Sequence, residues 1–294
     1  MPSLSCRAVP PPARTTAFLL VTVAGLVLPG GLRGQERPLR TEDPNPIPAG
    51  AVLLETGADL EFGRRFPLSG LEGDLYRLPY LGFSFGLGDV AEFQVDAGFN
   101  LLHVQDRDPA PLAEDLDFTG DTTTDIEDPV VATKLRLIRE GRRRPAVALR
   151  VATRIPSASN ESGIGTDTID WYMSLLAGKS VGDLRILANF GLGVLPFPLQ
   201  GDRQNDVLTG GLAVLWRAGE GVDLVGEVNG RIDVKGSTPA GTEDRGQARL
   251  GARLGLGRLF GAGVRLDGGV VAGLTDVDPG IGATLGLTLL DRSF

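Results

Sequence analysis

Three stretches of the chain carry residue types that could do chemistry. Gly82-Phe83-Ser84-Phe85-Gly86 has the Gly-x-Ser-x-Gly spacing of a nucleophile elbow, which needs a sharp strand-to-helix turn and a base beside the serine. Here the motif lies inside one alternating run, Pro79–Leu87, so Ser84 reads as an ordinary residue on a strand face. His103 is the only histidine; lipid hydrolysis there requires a positioned serine, and Val104-Gln105-Asp106-Arg107 supplies none. Asp115-Leu116-Asp117-Phe118-Thr119-Gly120 opens like a calcium loop, yet its twelfth position is Ile126 and no helical pattern flanks it, so the EF-hand reading fails. The acids Asp115, Asp117, Asp121, Asp125, Glu127 and Asp128 read as a solvated loop, with loose divalent-cation binding as the alternative. No catalytic residue, cofactor or resident metal is assigned, and no enzymatic activity is expected.

A larger set of charges recurs at alternate positions. Acids come early, at Glu55, Asp59, Glu61, Glu92 and Asp96, and bases follow at Lys134, Arg136, Arg150, Arg154 and Arg185. Later come Glu227, Arg231, Arg245, Arg249, Arg253 and Asp267. Two physical readings stay open. Opposed walls of acid and base would set a transverse field across a pore and favour polar or zwitterionic solutes. Alternatively, neighbouring strands pair these charges into a ladder that fills a narrow barrel.

The elements that position them are strands. In Gly221–Val234 and Gly246–Leu256 apolar or small residues alternate with charged ones: Val222, Leu224, Val228 and Ile232 against Asp223, Glu227 and Arg231, then Ala248, Leu250 and Leu254 against Arg249 and Arg253. A period of two sends successive side chains to opposite faces. Ten further stretches behave alike: 51–62, 79–87, 89–104, 129–139, 145–155, 168–180, 183–194, 205–217, 263–274 and 280–290. Each suits the ~9–11 residues of a tilted membrane strand. Connections alternate short and long, from the short Gly88, 140–144, 181–182, 218–220 and 257–262 to the longer 63–78, 105–128, 156–167, 195–204 and 235–244. Short turns beside both termini and longer loops opposite are the layout of an outer-membrane barrel. The expected fold is all-β, a transmembrane antiparallel up-and-down barrel of about 12 strands. A Lys or Arg on the lipid face costs about 2–4 kcal/mol at the midplane, and this phase puts Glu55, Asp59, Glu92, Asp96, Lys134, Arg136, Arg150, Arg154, Arg185, Glu227, Arg231, Arg249, Arg253 and Asp267 inside, as pore-lining residues.

The start of the chain reads as an export signal. Residues 1–34 hold Arg7, Arg14 and Arg33, no acid, and an uncharged run from Ala17 to Leu28. That run is too short for a membrane-spanning helix and fits a secretory signal peptide cleaved near Gly34. Its removal takes the net charge from −8 to −11 and removes Cys6, the sole cysteine, which excludes disulfides from the mature chain and makes nucleic acid an unsuitable partner. Residues 35–50, with Pro38, Pro44, Pro46 and Pro48 among mixed charges, read as a disordered periplasmic lead-in. Residues 51–294 are then the barrel.

The central block resembles the MetA-pathway of phenol degradation family of outer-membrane, transporter-like barrels. The residues that carry the likeness are Asp128-Pro129…Ala132-Thr133-Lys134-Leu135-Arg136, Pro145…Ala148-Leu149-Arg150…Ile155-Pro156-Ser157, Gly163-Ile164-Gly165-Thr166…Asp170 and Asn189…Gly191. The resemblance implies an outer-membrane channel for passive passage of small molecules, hydrophobic or aromatic compounds among them, and implies no chemistry. Its expected partners are membrane lipid, a small-molecule solute and the barrel-assembly machinery, whose C-terminal aromatic signal Phe294 resembles. Phe294 departs from that pattern by its inward parity and by Arg292 two residues before it. The competing readings are a plugged barrel with a structural or lipid-hydrolysing role and a secreted soluble β-protein that buries the apolar face against a second sheet.

Overall fold

The computed structural model describes residues 37–234, 236 and 239–291. The expected signal peptide, Phe294 and Arg292 lie outside the described residues. Among them twelve long strands close into an antiparallel barrel: β1 (Val52–Phe66), β2 (Leu71–Leu87), β3 (Ala91–Arg107), β5 (Val130–Ile138), β6 (Ala146–Arg154), β7 (Asp170–Val181), β8 (Leu184–Phe197), β9 (Gln200–Gly219), β10 (Val222–Asp233), β11 (Arg245–Leu259), β12 (Ala262–Gly273) and β13 (Ile281–Asp291). Each pairs with its sequence neighbour, and β1 pairs with β13 from Val52↔Asp291 to Phe62↔Ile281 to seal the cylinder. A short strand, β4 (Thr122–Ile126), lies outside the series. It pairs with the outer half of β3, Phe99–His103, whereas the inner half, Ala91–Asp96, pairs with β5.

The two faces divide as the alternation requires. Leu54, Leu135, Leu175, Phe190, Leu212, Val228, Leu250, Val270 and Leu285 are all exposed on the outside, Leu250 by 68%. Glu55, Asp59, Glu92, Lys134, Glu227, Arg249, Arg253 and Asp267 are buried inside. A continuous apolar belt around the whole cylinder far exceeds the ~300–600 Å² patch of a soluble monomer. No second sheet covers it among the described residues, so the soluble-sandwich reading fails on packing.

The connections keep their alternation with two differences. Those predicted at 63–78 and 195–204 shrink to tight turns at 67–70 and 198–199, because β1, β2, β8 and β9 run on past the apolar zone. Beyond the belt both strand faces meet water or loops, so the apolar period disappears while the backbone ladder continues. Arg64 and Arg65 there pair with Glu61 and Glu72, each at 2.7 Å.

Candidate functional site: a charged lumen and the segment across it

Residues 37–50 correct the expectation of a disordered lead-in. They run through the barrel interior, with Arg37, Leu39, Thr41, Glu42, Asp43, Asn45 and Ile47 all buried. Two apolar anchors hold them. Leu39 packs on lumen-facing Leu187, Ala213, Leu215 and Val225, and Ile47 on Ala51, Leu53 and Leu290. Burying such a side chain is worth about 1.5–3 kcal/mol. Polar groups in a lumen must also be matched, and the wall supplies the partners.

On the acidic wall, the Arg37 guanidinium donates to Asp59 at 3.2 Å, to the Thr284 hydroxyl at 2.6 Å and to the Leu285 carbonyl at 3.0 Å. It also lies 3.5 Å from Asp267 and 4.9 Å from the Tyr80 ring centre. Its place exists because Gly57 and Gly286 face each other across β1 and β13. A Cβ on Gly57 would come 2.7 Å from an Arg37 nitrogen. Glu227 accepts the backbone N–H groups of Arg40 and Thr41 at 2.7 and 2.8 Å, and Glu92 that of Ile47 at 2.7 Å. On the basic wall, Glu42 takes Lys134 at 3.3 Å and the Arg150 guanidinium, and Asp43 takes Arg185 through a two-pronged pair at 2.6 and 2.7 Å. The segment therefore meets each wall with the opposite charge.

The sequence-derived lumen residues separate into four placements. Glu55, Asp59, Glu92, Lys134, Arg150, Arg185, Glu227, Arg249, Arg253 and Asp267 surround the segment; Arg253 donates to the Arg37 carbonyl at 2.7 Å and Arg249 lies 3.5 Å from Glu227. Asp96 accepts the Tyr80 hydroxyl at 2.5 Å, a little apart. Arg154 and Arg231 sit toward the longer loops, Arg154 pairing with Asp128 at 2.9 Å and Asp170 at 2.6 Å. Arg136 belongs elsewhere. It bonds the Asp89 carbonyl at the terminal rim and is not part of this cluster.

Sequence reasoning missed Arg37, Glu42 and Asp43, and also Arg77, which bridges Asp59 at 3.2 Å and Glu127 at 2.5 Å and lies 4.4 Å from the Tyr80 ring centre. A signal was present: glycines at inward positions, Gly57, Gly178, Gly211 and Gly286, coincide with the segment's Arg37, Pro44 and Thr41.

The acidic loop also finds internal work. Asp128 accepts the N–H groups of Ser157 and Ala158, both at 2.8 Å, and Asp125 that of Ser159. Ser84 is buried on the inner face opposite Leu53 and Gln94, whereas His103 is exposed near the far end of β3, opposite Asp74. The elbow serine and the histidine thus occupy opposite ends of the wall.

Above the segment, on the side of the longer loops, lies a cavity of about 570 Å³ with Thr41 and Glu42 in its lining. That volume is in the ~300–1,000 Å³ range of small-molecule sites.

No family model matches the chain, and no curated protein does. Solved structures do. The COG4313 outer membrane channel from Pseudomonas putida F1 is 13% identical with a TM-score of 0.60, over 84% of this chain and 98% of that one. The β domain of the Bordetella autotransporter BrkA is 12% identical with a TM-score of 0.40, over 82% and 98%. The Pseudomonas putida toluene transporter TodX is 9% identical with a TM-score of 0.32, over 82% and 87%. The first of these likenesses is one of fold: this chain shares the closed antiparallel barrel of that structure.

Proposed function

We propose that this protein is a bacterial outer-membrane channel for passive passage of small molecules, narrowed by its own N-terminal segment. The observation that carries the reading is the inversion of the fold: an apolar exterior around a buried, charged interior that retains a cavity of about 570 Å³. A barrel with only a structural role has no need of that space. The finer expectation, a member of the MetA-pathway family that passes hydrophobic or aromatic compounds, draws support from the sequence resemblance. The cavity lining argues for polar cargo, since Arg40, Glu61, Arg64, Arg154, Arg231 and Glu243 all border it. Lipid hydrolysis gains no support from the separated Ser84 and His103.

The test is single-channel recording of the protein purified from cell envelopes in detergent. Discrete, ohmic conductance steps support the reading. Heat-modifiable, folded protein that inserts and passes no current refutes it, and so does protein that stays monodisperse without detergent.

A further inference from the structure

The rungs across the β10–β11 hairpin are matched below and mismatched at the top. Asp223 faces Arg253, Glu227 faces Arg249 and Asn229 faces Gln247, but Arg231 faces Arg245. Directly opposed like charges destabilise a sheet, so this rung carries an electrostatic cost that its neighbours do not. Both arginines line the cavity above the N-terminal segment, as does Arg40, whose side chain is 45% exposed and whose ionic partner among the described residues is Asp59, at 3.8 Å.

Acids near the rung are turned elsewhere. Arg231 is fixed by neutral acceptors, the carbonyls of Glu243 at 2.9 Å and Gly241 at 3.4 Å. The Glu243 carboxylate accepts the Gly241 N–H, Asp244 that of Asp233, and Asp278 that of Gly246. Glu227 is taken by the segment's amides and by Arg249. Among the described residues neither Arg231 nor Arg245 has a carboxylate within ion-pairing distance. One rung below, the Asn229 side-chain nitrogen is buried with no partner among the described residues, a donor whose hydrogen-bonding capacity is unspent there.

The geometry points to an anion-binding subsite in this outer vestibule, where Arg231, Arg245 and Arg40 take the carboxylate or phosphate group of a small solute, with Asn229 as an added donor. Planar guanidinium groups match such oxyanions two bonds at a time. The subsite rests on the channel reading only for its role in passage, not for binding itself. It makes the vestibule a collector of anionic solutes above the narrow part of the lumen.

The experiment is calorimetric titration of the detergent-purified protein with citrate, with inorganic phosphate and with spermidine, repeated for Arg231→Gln/Arg245→Gln and for Arg245→Gln alone. Removing a like-charge rung leaves folding intact, which heat-modifiable migration checks. Saturable binding of citrate or phosphate but not spermidine, weakened at least tenfold in the double variant and less in the single one, is the expected result, and the stronger anion names the source. Absence of saturable anion binding, or binding that the folded double variant retains in full, overturns the subsite. Binding without conductance would keep the subsite and sink the channel reading; conductance without binding would do the reverse.

Discussion

Replacing Glu42 by Gln loosens the N-terminal segment where it meets the basic wall. Glu42 pairs with Lys134 and Arg150, and Lys134 is fully buried. Removing one partner of a buried pair costs about 3–5 kcal/mol, because the other charge is left uncompensated. Here the cost lies near the lower end. Lys134 keeps Glu92 at 3.2 Å and Arg150 keeps the Gln94 side-chain oxygen at 2.9 Å. A loss of about 3 kcal/mol shifts the bound-to-released ratio of the segment by about a hundredfold, at 1.4 kcal/mol per decade. The barrel ladder makes no use of Glu42, so the cost falls on the segment. Expected are unchanged heat-modifiable migration, larger or more frequent conductance steps than wild type, and faster proteolytic clipping within residues 37–50. A folded Glu42→Gln variant with wild-type current and wild-type protection of the segment would refute the reasoning.

Leu250→Arg places a charge on the apolar belt, at a side chain 68% exposed. It should lower stability by about 2–4 kcal/mol in denaturant titrations of the bilayer-inserted barrel, if the belt faces lipid at mid-depth. Glu140, in the turn between β5 and β6, has its carboxyl opposed by burial but held below the usual carboxylate range by the Ser180 N–H and by Arg185. A depressed folded-state value stabilises above the unfolded one and is lost as pH falls through the folded one. Glu140→Gln should therefore be less stable than wild type at neutral pH, with the gap closing in acid; a gap that widens in acid contradicts the assignment. His103→Ala is expected to leave folding and conductance as they are and to abolish no lipid hydrolysis.

Much of the wall was legible because lipid and lumen impose a strict period on every strand. The β10–β11 hairpin runs from Val222↔Leu254 to Arg231↔Arg245, a register that keeps the two alternating faces in phase. Where one solvent touches both faces the period says nothing, and for that reason the outer ends of β1, β2, β8 and β9 carry no strand signature in the sequence. The segment at 37–50 was illegible for another. It has no ladder and no period, only Pro, charge, small residues and the large apolar pair Leu39 and Ile47, which is also the composition of a free linker. Its partners lie up to 248 residues away, as with Arg37 and Leu285. Charge complementarity over that distance has no local signature. The wall charges were identified by phase, but neither open reading of them, a field or a strand-to-strand ladder, included a third body between the walls.

The exchange of partners along β3 gives the molecule a seam. A closed barrel has no edge strands, so nearly all its amides are locked in two-sided ladders. β4 breaks that rule, for among the described residues its only strand partner is β3. What shields its other side is loop: the Thr123 hydroxyl on the Ser162 carbonyl at 2.9 Å and Asp125 on the Ser159 N–H at 2.8 Å. In hydrogen–deuterium exchange the barrel wall then divides by clock rather than by place. The inner half of β3, Ala91–Asp96, exchanges with the global opening of the cylinder. Thr122–Ile126 and the facing amides of Phe99–His103 exchange through local openings that leave the cylinder shut, and the outer rim breathes on its own time.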